Sequence, residues 1–210
     1  MAAALIFSLA YSFYFRIHPA VDASGYDRIA WNLVQGNGYR ENAALSFDED
    51  IAILRVGPGY EFFLAVVYWI FGHRYAAVWV LQAVLLALSA GLAYLLARQV
   101  FRDHPRQSAI GIAAASFVAF SPDFITYSGM LLSETLGIFL ILLASVCFFA
   151  YRGASLAEMP SALRTRAWLT AFALVFGSSA MVRTPAALLV LPMLFFFYRR
   201  RRFADAAVFF

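Results

Sequence analysis

Three features of the chain predict an all-α polytopic membrane protein: its composition, the recurrence of apolar runs, and the placement of its charges. Of 210 residues, 63% are hydrophobic and 13% charged, and the mean hydropathy is +0.75. A soluble domain carries about a quarter charged residues, enough to coat its surface. This chain has no such coat. Apolar segments recur at 1–15, 59–71, 76–96, 109–120, 136–151, 167–182 and 186–198. A membrane span takes about 20 apolar residues, fewer where the flanks snorkel. The net charge of +4 is read as a signal of orientation in the bilayer. No nucleic-acid partner is expected from it.

Residues 1–15 open the chain as a signal-anchor span. They lack a basic leading region, and only a weak Val21-x-Ala23 cleavage site follows. The polar stretch 16–74 comes next and holds seven acidic residues. Within it Tyr26, Ile29, Ala30, Leu33 and Val34 recur at helical spacing and form one apolar stripe. Ser24 with Asp27 three residues on has the form of a capping box, and Gly36 is a natural stop. This predicts a short amphipathic helix on the bilayer surface. Asp48-Glu49-Asp50 reads as a solvated loop, and Val56-Gly57-Pro58-Gly59 as a turn. The segment 59–71 is short and contains Glu61, which favours an interfacial or re-entrant helix. The remaining runs bring the count to about six spans.

The basic clusters order these spans. Arg98/Arg102/Arg106, Arg152/Arg164/Arg166 and Arg199–Arg202 share one face, which the positive-inside rule makes cytoplasmic. The rule alone does not place the acidic loop: were 59–71 to cross, that loop would share the clusters' side, but with 59–71 interfacial or re-entrant the stretch 16–74, the loop 121–133 and a tight turn at Arg183-Thr184-Pro185 lie outside. The same parity collects Asp22, Arg55, Glu134 and Arg183 on the outer face. After Arg199–Arg202 the chain turns apolar again over 203–210, as if a C-terminal part were missing. Repeats and soluble domains are absent, so 1–210 reads as one module.

Each candidate side chain has two readings. Asp22 can take a proton from an acceptor as a new bond forms, or it can serve the start of its helix. Arg55 and Arg183 can grip phosphate through the planar guanidinium fork, or they can snorkel to headgroups. Arg183 is the sharper case, since it interrupts two apolar runs with no acidic neighbour in sequence. Glu134, at the entry of a span, can orient a nucleophile, pair with Arg183, ligate a cation, or simply favour a helix N-terminus. His18, His73 and His104 are scattered without metal-ligand spacing. The single Cys147 rules out an intrachain disulfide and a cysteine zinc cluster. No nucleotide-binding or hydrolase motif is present.

Taken in order, four stretches resemble the N-terminal module of the GT-C membrane glycosyltransferases. The first is Asp22-x-x-x-Tyr26-x-x-x-Ala30-x-Asn32-Leu33-x-x-Gly36-x-Gly38-Tyr39. The second is Arg55-x-x-Pro58-Gly59-Tyr60-x-x-Phe63-Leu64-Ala65. Ser121-Pro122 with Ser133-Glu134-Thr135-Leu136, and Val182-Arg183-Thr184-Pro185, complete the set. The likeness is to the bacterial branch of the dolichyl-phosphate-mannose–protein mannosyltransferase family, which includes lipid A aminoarabinose transferases. It implies inverting transfer of a sugar from a polyprenyl-phosphate carrier to a lipid, glycan or protein acceptor at the outer face of a bacterial inner membrane.

In that likeness Asp22 matches the catalytic aspartate of the first outer loop, and Glu134 the acidic position of the second. Arg55 and Arg183 match basic positions near the donor phosphate, and Tyr26 and Tyr60 complete the expected substrate-binding set. Three departures stand out. Glu61 replaces a second proline, the Arg55–Pro58 spacing is one residue longer than the common form, and no glutamate stands near Arg55 where the aminoarabinose branch ligates a metal. No cofactor is assigned; a divalent metal is the one candidate. The alternatives from other classes are a non-catalytic membrane scaffold subunit and a small transporter. A transporter would favour paired broken helices and inverted repeats, which the sequence lacks.

Overall fold

The computed structural model describes residues 1–189 apart from 47, 55, 56, 158 and 160, together with 191, 195 and 198. Eight α-helices are described, with no strand among the described residues: α1 (Ala2–Phe15), α2 (Asp22–Val34), α3 (Gly59–Phe71), α4 (Tyr75–Val100), α5 (Gln107–Phe120), α6 (Pro122–Gly129), α7 (Glu134–Ser155) and α8 (Ala162–Val182). Two 3₁₀ turns, Ile51–Leu54 and Thr184–Leu189, complete the set. The all-α membrane architecture follows.

Three helices, α4, α7 and α8, are long and apolar enough to cross a bilayer. Four cross if the bent pair α5–α6 counts as one. The shorter apolar helices α1 and α3 have 14 and 13 residues, about 20 Å each at 1.5 Å per residue, short of a hydrocarbon core of about 30 Å. The expected sixth span, 186–198, and the cluster Arg199–Arg202 fall largely or wholly outside the described residues.

The bundle is organised around α4, which packs on α1, α5, α6 and α7, while α7 also packs on α8. Small residues set the closest approaches, as in membranes where no hydrophobic force separates helix from lipid. Along α1 the buried positions are Ala4, Ser8 and Ser12, one stripe at four-residue spacing. Ser8 Oγ meets Ser128 Oγ of α6 at 2.6 Å. A Cβ on Gly129 would lie 2.9 Å from the Tyr11 ring, so this crossing has no room for a larger residue. Large apolar side chains such as Phe117 and Leu174 point outward, as lipid-facing positions require.

The loop expected at 121–133 is instead α6 and a short linker. Ser121 is extended, Pro122 opens α6 at a position where its missing N–H costs nothing, and the pair bends by 48°. Such a break frees backbone carbonyls in an apolar setting, where each needs a partner. Gln82 of α4 supplies it. Its fully buried amide donates through Nε2 to Ser128 O at 3.1 Å and Met130 O at 2.6 Å. Its Oε1 accepts from Tyr60 Oη at 3.0 Å. One side chain thereby ties α4, the α6–α7 linker and α3 together.

Candidate functional site

The helix carrying Asp22 differs at its start from the sequence expectation. Ser24 with Asp27 is no capping box: α2 already begins at Asp22, and Ser24 Oγ turns back to Val21 O at 2.7 Å. Val21 precedes the helix with φ 52°. That left-handed backbone is costly for a β-branched residue and marks a strained position. Asp22 next to it is exposed, and its carboxylate makes no hydrogen bond or ion pair with a described residue.

Asp27 faces inward instead, because positions 23, 27 and 30 share the side of α2 that packs on α3. Its carboxylate is a three-way junction. Oδ1 accepts from Tyr68 Oη at 2.6 Å and from His73 Nε2 at 2.8 Å, and Oδ2 accepts from Tyr75 Oη at 2.9 Å. The His73 ring stacks on Trp31 with centroids 4.7 Å apart. A buried carboxylate is tolerated only when its lone pairs are satisfied, and these donors from α3, the α3–α4 turn and α4 satisfy them. The junction fixes α2 against the bundle. α2 is therefore a packed helix, and His73, scattered by sequence, is part of its anchor.

A second knot shapes the polar stretch. Asp50, expected to be solvated with Asp48 and Glu49, is only 2% exposed. It accepts the backbone N–H groups of Glu41 at 3.0 Å, Asn42 at 2.7 Å and Ala52 at 2.7 Å. Burial pushes its carboxyl upward, but those three N–H groups and the Arg40 charge outweigh it and leave the pKa below the ordinary carboxylate value. Arg28 of α2 pairs with Glu41, which ties the knot to α2.

At the same end of the bundle α7 begins and α8 stops. Arg183 Nη1 lies 2.8 Å from Glu134 Oε1, with the two side chains 39% and 27% exposed. Gly137, one turn into α7, makes room for the Arg183 stem, since a Cβ there would sit 2.9 Å from Arg183 Cδ. The turn before α3 presses on the end of α8: a Cβ on Gly57 would meet Met181 O at 2.9 Å, and one on Gly59 would meet Val182 Cγ2 at 2.9 Å.

Ala23, Tyr60, Leu136 and Val182 belong to one buried apolar cluster, with Tyr26 packed against it. These residues are immediate or near neighbours of Asp22, Glu134 and Arg183. Tyr60 is fully buried and meets Tyr26 edge-on at 5.3 Å. Tyr26 and Tyr60 thus belong to this apolar floor, and Asp22, Glu134 and Arg183 adjoin members of it in sequence. The sixth candidate, Arg55, lies outside the described residues. Arg98, Arg102, Arg152 and Arg164 occupy the opposite ends of α4, α7 and α8 and the turn after α4.

Among the described residues no group of three or more His, Cys, Asp or Glu side chains is placed to hold a metal ion. Glu134, the acid nearest such a role, is engaged by Arg183.

Long apolar helices, with Glu134 and Arg183 paired at one end, define an integral membrane protein. The profile of the dolichyl-phosphate-mannose-protein mannosyltransferase family matches residues 55–208, and the chain belongs to that family. No curated protein and no solved structure matches it. Membership makes the chain a membrane glycosyltransferase whose donor class is a polyprenyl-phosphate sugar. The matched stretch includes Arg55, Tyr60, Glu134 and Arg183; Asp22 and Tyr26 precede it.

Proposed function

We propose that the chain transfers a sugar, with inversion, from a polyprenyl-phosphate donor to an acceptor at the outer face of a bacterial inner membrane, with Asp22 as general base. The acceptor hydroxyl or amine gives its proton to the Asp22 carboxylate as its heteroatom bonds to the anomeric carbon. The bond from that carbon to the phosphate oxygen breaks on the opposite side, and its electron pair leaves with the polyprenyl phosphate. Arg183 meets the charge that develops there, where a preorganised donor counts most. Glu134 holds one edge of the guanidinium and leaves its other N–H groups for phosphate oxygens. Arg55 joins Arg183 on the phosphate. Tyr26 lines the sugar site, and Tyr60, being fully buried, backs Tyr26 from below.

The observation that carries this reading is the Glu134–Arg183 pair held over the same apolar floor as the start of α2. Outward orientation is supported by the arginines gathered at the other end.

Asp22→Asn tests it. Asn keeps the size of Asp but cannot take the proton. Transfer from polyprenyl-phosphate sugar in proteoliposomes should fall by roughly 10²–10⁴-fold, with donor binding intact. Near-normal turnover would leave Asp22 a structural residue.

A further inference from the structure

We propose that the end of the bundle opposite the transfer site holds a binding site for the phosphate headgroup of an anionic glycerophospholipid. A cavity of about 570 Å³ lies between α4, α7 and α8, with Arg98, Arg102 and Arg164 in its wall. No acidic residue lines it among the described residues. Arg98 makes only a long hydrogen bond to Tyr94 Oη, at 3.5 Å, and lies 5.6 Å from the Tyr94 ring centroid. Arg102 reaches its neighbour Asp103 at 3.6 Å, with both side chains exposed, a pairing of little weight in water. Arg164 has no carboxylate partner among the described residues.

Three arginines in the wall of one concavity, with no acidic residue there among the described residues, suit an anion. Arg164 makes the point sharpest. It stands in the first turn of α8, which has no acidic residue, at the helix end that disfavours a cation. Its place there is explained by a ligand that is negative. Packing places the stem of one of them: Gly111 of α5 leaves room for Tyr94 and Arg98 Cγ, which a Cβ would approach to 2.8 and 3.3 Å.

The cavity has two further properties. Phe149, Leu95 and Trp168 give it an apolar side continuous with the spanning helices, and Leu95 is exposed toward the lipid. An acyl chain has a path there, and an indole suits the boundary between hydrocarbon and headgroup. Gln99 and Gln107 also line the wall, and a side-chain amide there suits a polyol headgroup such as glycerol beside its phosphate. Basic pockets between helices at this end of a membrane protein are where anionic headgroups are recognised.

The test is native mass spectrometry of the full chain in detergent, with dioleoylphosphatidylglycerol or dioleoylphosphatidylcholine added. The glycerol lipid should be retained in preference by on the order of a hundredfold, about fivefold for each of three arginines. Arg164→Gln and Arg98→Gln should each lower its retention by about fivefold. Arg166→Gln removes the same charge from the same helix outside the cavity and should change nothing. All three side chains are exposed, so folding is not at stake, and Arg164→Lys provides a milder variant that should retain part of the preference. Equal retention of the two lipids, or an equal loss in Arg164→Gln and Arg166→Gln, would overturn the site in favour of a diffuse basic surface. Displacement of the lipid by millimolar inorganic phosphate would assign the cavity to a soluble anion and overturn the lipid.

Discussion

Arg183 owes its position to a residue with no side chain. Gly137 lets the arginine stem lie along α7 so that its head reaches Glu134 at 2.8 Å. Arg183→Ala should raise the donor dissociation constant by roughly tenfold or more, as loss of charge-assisted hydrogen bonds worth about 1.5–3 kcal/mol implies. Arg183→Lys should recover only part, because the charge remains and the fork is gone. Donor titration of the three proteins checks both, and wild-type binding by Arg183→Ala would remove the residue from the site. Asp50 makes a separate claim. Its depressed pKa means the folded state holds the carboxylate more strongly than the unfolded chain does. That stability is fully present above the unfolded value of about 3.9 and is lost as pH falls through the lower folded value. Hydrogen exchange of the Glu41, Asn42 and Ala52 amides should lose protection in that acid window and nowhere above it. The Glu134–Arg183 pairing was legible in the sequence, since helix parity alone puts the two at one end. The Asp27 junction was not, because its donors are 41 to 48 residues away and only the packing of α2 on α3 brings them in. The buried spacing of Ala23, Asp27 and Ala30 was the one local hint.

At the scale of elements, the apolar runs located the helices well and their ends poorly. The run at 76–96 extends to Tyr75–Val100, and that at 136–151 to Glu134–Ser155, since polar residues at a span's ends continue the helix into the interface without changing mean hydropathy much. α6 was missed because 121–133 reads as an outer loop, whereas Pro at the first helical position also starts a helix. The seam between the Gly57–Gly59 turn and α8 yields a paired test. Gly57 has φ +88°, and a Cβ there would lie 2.9 Å from Met181 O; Gly36 has φ +80° and open space around it. Gly36→Ala should cost about 1–2 kcal/mol, the left-handed penalty alone. Gly57→Ala should cost more, because the Met181 carbonyl cannot move aside without dragging α8. Thermal unfolding in detergent distinguishes them, and equal losses would show that the seam is loose.

Over the whole molecule, the two polar ends should lie on opposite sides of the bilayer. Single cysteines at Asn42 and His104, in a background with Cys147 replaced, should react with impermeant reagents from opposite faces; reaction from one face would overturn the arrangement. Chemistry at one end and basic anchoring at the other also set how the chain is made. The short helix α1 finds its hydroxyl partner, Ser128, 120 residues downstream. At about 5–20 residues per second, the ribosome needs roughly 6–24 s to deliver it. For that interval the Ser8–Ser12 stripe has no α6 to pair with, and α1 is too short to sit securely in hydrocarbon by itself. α1 gains its packing on α4 first and its contact with α6 only later. Codons that slow elongation before Ser128 should therefore lower the yield of folded enzyme more than equal pauses placed after it.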